Sequence, residues 1–447
     1  MPQARNIPDP PPEWKQKQPK PDPGRSYAIE LITPLFGGGV ETRVNDPTFP
    51  IRATSIRGQL QFWWRATVGA QYASRQELRA AQSAIWGNTE QASRVIVRVE
   101  DVQAAKESRC AVIEWNQHAR GGQGGWRTNW QAPFNGNGSA LPYALFPFQG
   151  ETPPPNRSAT VTVPPASCIH KASFKLTLIC HKEIDFAKEI EPALWAWVNF
   201  GGLGSRTRRG CGAIVCKELA PKDRNELLAR LKTFLQALNA QSREWPTLAV
   251  AFLVGQEQSS AIMAWNEVID RFRHFRQGVD LGRYRGQQHN RPGRSRWPEP
   301  ETIRRVTGRR LPSHSRLTHV PDDAFPRGEL GLPIVFHFKE RGDPPDTVLY
   351  PDGDRERMAS PLILKPLALA NGKFVPLIVR LKTPALTGVD LRQGEQSLPL
   401  PQPTVIRHPK LATYRDSPMQ NRSPNGSALE AFLAYAKSQG FTEVSRS

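Results

Sequence analysis

An α+β fold is what this sequence predicts, and three observations carry the prediction. Short strands of alternating polarity, such as Tyr27–Thr33 and Ser93–Asp101, stand beside stretches with apolar stripes at helical spacing. Strands and helices interleave without the strict alternation that builds a parallel sheet. The 42 prolines and 34 glycines place long loops between these elements. At 447 residues the chain has room for two to three domains.

Residues 1–25 are Pro-rich and polar, with no apolar core, and read as a disordered arm without a leader peptide. The strand Tyr27–Thr33 ends at Pro34, and Gly37–Pro50 reads as a loop. Ser55 is placed to cap a helix running to about Val68, whose Ile56, Leu60, Trp63 and Thr67 share one face. Arg57, Gln61, Trp64 and Arg65 point away from that face. A second helix covers Arg75–Trp86, and Ser93–Asp101 alternates as a strand. Residues 103–170, rich in Gly, Pro, Asn and Ser, read as an insertion. Phe174–His181 is a strand, Phe186–Phe200 a helix, and Cys211–Lys217 a short strand after a glycine loop. Without the insertion, the order is strand-helix-strand-strand-helix-strand, the ferredoxin-like or RRM-like arrangement.

Lys222–Ala240 reads as a connecting helix. Thr247–Val254 is then a strand, Ala261–Arg276 a helix, and Pro333–Lys339 and Phe374–Leu381 two further strands. This rhythm suggests a second, degenerate copy of the first unit. The expected organisation is a disordered arm over 1–25, two ferredoxin-like domains over 26–242 and 243–390, and a polar tail over 391–447 with a helix near Ser427–Lys437.

Charge narrows the function. The 60 Lys and Arg outnumber 41 Asp and Glu, a formal net charge of +19, which implies an anionic partner. No apolar run is long enough to cross a bilayer as a helix. Five cysteines show no disulfide rhythm and fit a reducing cytoplasm. From Arg271 to Arg316 there are 13 arginines against Asp280, Glu299 and Glu301. With Tyr284 and Trp297 among them, this segment reads as an RNA-binding arm that orders on contact, Arg283, Arg285, Arg294 and Arg296 among its contacts. A solvated loop is the plainer alternative.

Two motifs carry the chemistry. In GGLGSRTRRGCG (201–212), Gly201, Gly202, Gly204 and Ser205 are read as a backbone concavity for an anion. Arg206, Arg208 and Arg209 would add charge-assisted bonds. No Lys-Ser/Thr follows, and Thr207 stands where a dinucleotide fingerprint needs its third glycine. In IRATSIRGQLQFWWRA (51–66), Arg52, Ser55, Arg57 and Arg65 surround a helix start, where the backbone dipole favours phosphate, and Trp64 is free to stack on a base. Trp63 reads as core.

LITPLFGGG, SIRGQLQFWWRA, IWGNTEQASRV, the glycine loop and SPLILKPLAL together resemble the RAMP superfamily, and within it the first subunit of type III-B CRISPR Cmr complexes. The resemblance covers about 30–100, 170–217 and 358–382. It implies two ferredoxin-like domains, guide RNA, target RNA and other Cmr-type RAMP subunits as partners, and a place near the guide 3′ end. It also implies a subunit that does not cut. The Pro-rich arm, the 119–139 loop and the Arg-rich segment depart from it.

Catalytic alternatives are weaker. A metal-independent ribonuclease of the same superfamily would need a histidine near the glycine loop, with His170 and His181 as candidates. Asp46 occupies the loop where related backbone subunits carry a cutting aspartate, although Asn-Asp-Pro is ordinary turn chemistry. Cys168 with His170 and Cys180 with His181 match no standard zinc spacing. No metal, cofactor, membrane contact or enzymatic activity is expected. A non-specific single-strand binder outside any complex is the third reading.

Overall fold

The computed structural model describes residues 24–446 apart from 120–122, 240, 287–291, 313–316, 318–319, 322, 339 and 401–403. Most of the Pro-rich arm therefore lies outside the described residues, and Arg25 already begins the first strand.

Two four-stranded antiparallel sheets of matching topology organise the chain, which is α+β. The first comprises β1 (Arg25–Leu31), β2 (Val95–Ala104), β3 (Ala172–Cys180) and β4 (Ile214–Cys216), ordered β2-β3-β1-β4. Helices α1 (Ala53–Ala66) and α2 (Arg75–Trp86) join β1 to β2, and α3 (Glu191–Phe200) joins β3 to β4. Helix α4 (Arg224–Ala237) buries Leu227, Leu231 and Leu235 on the way to the second sheet. That sheet comprises β5 (Thr247–Val254), β6 (Leu362–Ala368), β7 (Phe374–Lys382) and β8 (Thr442–Ser445), ordered β6-β7-β5-β8. Helix α5 (Ala261–Gln277) follows β5, and α6 (Ala428–Ser438) precedes β8.

Several sequence expectations change here. Residues 391–447 are not only a tail, because α6 and β8 complete the second sheet. Pro333–Lys339 does not join that sheet. Its strand, Ile334–Phe336, pairs with Thr347–Pro351 in a separate small sheet. The strand beside β7 is β6, whose seven residues are all buried. Residues packed on both sides lack the alternation that marks a half-exposed strand. Phe252, Val379 and Ile363 face the core beneath α1 and α3, whereas Leu253, Ile378 and Leu364 face the core beneath α5 and α6. The predicted helix Phe186–Phe200 breaks at Ile190 into Phe186–Glu189 and α3, with a proline in the first turn of α3. Helix α1 starts at Ala53, so Arg52 rather than Ser55 is its cap residue, and no side chain caps it.

The Arg-rich segment is folded over its described residues. Arg271–Gln277 closes α5, Arg283–Arg285 pairs with Pro292–Ser295, and Glu299–Thr307 is a helix. Carboxylates brought from within and outside the segment hold it. Glu301 (2% exposed) meets Arg294 and Arg310, Asp343 meets Arg304 at 3.1 Å, and Asp416 meets Arg296 at 3.0 Å. The expectation of a disordered arm is corrected for these residues, because Glu301 within the segment and Asp343 and Asp416 from outside it pin its arginines in a fixed fold. Its remaining stretches, 287–291 and 313–316, lie outside the described residues.

Candidate nucleic-acid interface

The glycine loop runs from the end of α3 to β4 and presses against the start of β6. Its glycines answer first to packing. A side chain at Gly201 would sit 2.6 Å from Trp63 Nε1 and 2.6 Å from the Trp197 carbonyl oxygen. Gly204 has φ +72°, and a Cβ there would lie 2.5 Å from the Phe36 carbonyl oxygen. The amides of Gly201, Leu203 and Ser205 donate to the carbonyls of Trp197, Gly212 and Phe36, each at 2.8 Å. Consecutive free N–H groups therefore do not converge across 201–205, and the expected continuous backbone cradle is not formed there.

The three loop arginines are not simply solvated either. Arg206 Nε donates to the Ala144 carbonyl at 2.7 Å. Arg208 donates to the Ser360 carbonyl, and Arg209 Nη1 to Leu362 O at 3.0 Å. Burial lowers the pKa of each. The Arg208 and Arg209 bonds stitch the first sheet's loop to the second sheet, the Arg206 bond ties it to the 103–170 insertion, and all three acceptors are neutral carbonyls. Lys365 on β6 reinforces the seam. It is fully buried and donates Nζ to Gly201 O at 2.9 Å, at the negative end of the α3 dipole. Burial pulls its pKa down to about 7.

Beside this seam lies a pocket of about 160 Å³, lined by Phe62, Trp63, Gly201, Thr207 and Arg208. The Arg208 guanidinium carbon sits 5.7 Å from the Phe62 ring centroid, which is a cation–π contact. Trp63 Nε1 is buried with no hydrogen-bond partner among the described residues. An unmet buried donor costs free energy until an acceptor arrives. The pocket thus offers an aromatic face, an indole N–H and a guanidinium in one place.

The other sequence-predicted contacts scatter. Arg52 is exposed and bonds Gly38 O at 2.8 Å; Arg57 bonds Trp86 O; Arg65 bonds Gln82 Oε1 at 3.2 Å. Ser55 is exposed on the first turn of α1. Trp64 is 0% exposed, with its Nε1 3.3 Å from Glu189 Oε2, so its proposed stacking on a base is corrected. Helix α1 is covered on more than one side, which a single amphipathic stripe does not anticipate. Arg283, Arg285, Arg294 and Arg296 belong to the separate Arg-rich insertion, where Arg285 pairs with Asp280. Asp46 Oδ1 accepts from the amides of Thr48 and Phe49, both at 2.9 Å, in an ordinary Asx turn. His170 bonds Ser108 Oγ at 2.8 Å and lies 3.5 Å from Cys168 Sγ, and burial lowers its pKa. His181 Nδ1 lies 3.7 Å from Glu183.

Residues 28–215, which hold the first sheet, the pocket's aromatic wall and the glycine loop, match the model of the RAMP superfamily. This segment belongs to the RAMP superfamily. A curated relative, the CRISPR system Cmr subunit Cmr1-2 of Pyrococcus furiosus, is 25% identical over 199 residues, 42% of this chain and 92% of that protein. Among solved structures, apo Cmr1 from Pyrococcus furiosus aligns with a TM-score of 0.46 at 16% identity, covering 94% of this chain and 98% of that one. A chain of the type III-B Cmr-β complex bound to cognate target RNA aligns with a TM-score of 0.44 at 11% identity, covering 80% and 94%. The Arg-rich insertion and the whole second sheet lie outside the matched RAMP segment.

Sequence reasoning missed Phe62, Thr207 and Lys365. Phe62 had a signal, since it adjoins the two tryptophans and falls off the core stripe of α1. Lys365 had one too: a lone cation inside the apolar run SPLILKPLAL.

Proposed function

We propose that this chain is the RNA-binding subunit of a type III-B CRISPR ribonucleoprotein, seated near the guide 3′ end, where it contacts guide and target RNA and helps capture the target for antiviral defence. Its partners in this reading are other Cmr-type RAMP subunits in the cytoplasm, without a membrane or a cofactor. The two sheets, each strand-helix-strand-strand-helix-strand with matching order, are the cores of two ferredoxin-like domains. The first spans 26–242, and the second runs from 243 through β8.

The observation that carries this reading is the pocket beside the glycine loop. Among the described residues, Phe62 supplies a face for a base, Trp63 Nε1 a donor without an acceptor, and Arg208 a cation bonded to a carbonyl. Such a combination suits a nucleotide better than a neutral ligand. The similarity of 42% of the chain to a Cmr subunit supports the complex. The chain is read as non-cutting, because Asp46 is engaged in its turn and both candidate histidines are engaged away from the pocket.

Fluorescence anisotropy with a labelled single-stranded RNA tests this. Phe62→Ala should lose about 1–3 kcal/mol of binding, the usual contribution of one stacked base. Wild-type protein should show a log–log salt slope of roughly −3 to −5, from about five to seven phosphate contacts, and the RNA should be recovered intact. Unchanged affinity in a folded Phe62→Ala variant, with a slope near zero, would sink the assignment.

A further inference from the structure

The insertion between α5 and β6 builds a second concave surface, independent of the glycine-loop pocket. A cleft of about 1060 Å³ lies among the Arg283–Ser295 hairpin, the strand Ile334–Phe336 and the end of α5. That volume is at the top of the range for organic ligand sites and far beyond a single ion. Two of the lining arginines, Arg294 and Arg304, are matched by Glu301 and Asp343. Three others are not matched one for one. Arg327 pairs with Glu299 at 3.1 Å, whereas among the described residues Arg276 and Arg283 have only neutral acceptors, Tyr143 Oη at 2.8 Å and Gly293 O at 3.2 Å. Burial lowers the Arg327 pKa, and the neighbouring charges of Arg276 and Arg283 lower it further. Three guanidiniums thus share one carboxylate.

Two of their donors, Arg276 Nε and Arg327 Nη2, are buried and make no hydrogen bond among the described residues. Buried charged donors without acceptors are costly, and an anion offsets that cost directly. The cleft also presents an apolar floor: Val335 is 65% exposed, and Phe338 is half-buried beside it. Arg276 connects the cleft to the first site, because its charge reaches Arg209 of the glycine loop and its bonding partner Tyr143 reaches both Arg206 and Arg209.

We infer that this cleft is a second RNA-binding site, in which Arg276, Arg283 and Arg327 take phosphates of a single strand while Val335 and Phe338 lie under its bases. It extends the path of an RNA seated at the glycine loop and rests on that RNA reading. A phosphodiester is favoured over a carboxylate peptide because the cleft continues an already cationic seam. Free phosphate or a mononucleotide would use the same donors.

The test uses the full chain with two labelled RNAs, one of about 8 nucleotides and one of about 30. Arg283→Gln alone removes a half-buried cation with a single backbone bond and keeps the fold; Arg276→Gln is then added. For the long RNA, the single variant should weaken binding about three- to tenfold and shallow the salt slope by about 0.7, and the double variant by about 1.4. Binding of the short RNA, held by the glycine-loop pocket, should stay within about twofold. Phe62→Ala should weaken both lengths, so a failure of the first site is told apart from a failure of the cleft. Equal long-RNA affinity and slope in wild type and both cleft variants would overturn the inference. So would AMP or inorganic phosphate binding that is lost in Arg283→Gln while long-RNA binding persists. Hydrogen-exchange protection of 283–286 and 334–338 by a polyglutamate peptide but not by RNA would reassign the cleft to a protein partner. If wild type binds neither RNA, both sites fall.

Discussion

The glycine loop and the Arg-rich insertion both hold arginine at high density, yet their partners differ in kind. Arg206, Arg208 and Arg209 bond backbone carbonyls, Arg208 and Arg209 also lie beside aromatic rings, and no carboxylate among the described residues pairs with them. Arg294, Arg296 and Arg304 meet Glu301, Asp416 and Asp343, so these arginines are matched by carboxylates. Among the described residues, only Arg276, Arg283 and Arg327, which share Glu299, keep surplus charge at the cleft. A density of cations therefore does not locate a binding site. What locates one is a cation whose structural bonds leave it positive, beside an unmet donor and an aromatic face.

The largest expected effect concerns the loop's glycines. Gly204→Asp combines positive-φ strain with overpacking against Phe36, each costing about 1–3 kcal/mol, so it should destabilise by about 2–6 kcal/mol. From the sequence, this change is expected to harm RNA binding while sparing the fold, and the structure reverses that expectation. A thermal melt with a wild-type midpoint would restore the anion-cradle account.

Next comes the neutralised cluster. Glu301→Gln should cost about 3 kcal/mol in denaturant unfolding, because it removes the buried charge that Arg294 and Arg310 share. Arg208→Ala should cost about 1–2 kcal/mol, one charged bond to a carbonyl. Equal losses would erase the distinction between the two regions.

The smallest effect lies in the seam. Lys365 titrates near 7 in the fold and near its ordinary value, about 10.4, when unfolded. Below pH 7 both states hold the proton, and the burial cost is fully present. As pH rises through 7, the folded state sheds the proton while the unfolded state keeps it, so stability increases. The gain should be about 1–2 kcal/mol between pH 7 and 8.5, and Lys365→Met should abolish it. Burial pushes the thiols of Cys110, Cys211 and Cys216 up to about 11, 12 and 12, which works in the opposite direction only above their ordinary value near 9. A flat wild-type profile over that window would mean the lysine is solvated.

Local signals made much of this molecule legible. Helix α2 was readable to the residue, since Ser74 and Glu77 form a complete capping box. Strand β5 was equally clear. What escaped were features set by distant neighbours. Strand β6 is apolar throughout because both its faces are covered, and Trp64 is buried because α1 has neighbours beyond its main stripe. The ion pairs of the insertion join Arg304 to Asp343 and Arg296 to Asp416, far beyond any window in which charge was counted. Of the candidate site, Gly201 and Arg208 were identified by their motif, but their partners Phe62 and Trp63 were assigned no part in binding.

The central claim is that RNA sits in the glycine-loop pocket, and photo-crosslinking tests it most directly. Single-stranded RNA containing 4-thiouridine, irradiated with the wild-type chain and mapped by mass spectrometry, should mark Phe62 or the Thr207–Arg208 peptide, with the Arg283–Tyr284 peptide as a second adduct. Adducts confined to other surfaces, with none on α1 or the glycine loop, would contradict the account.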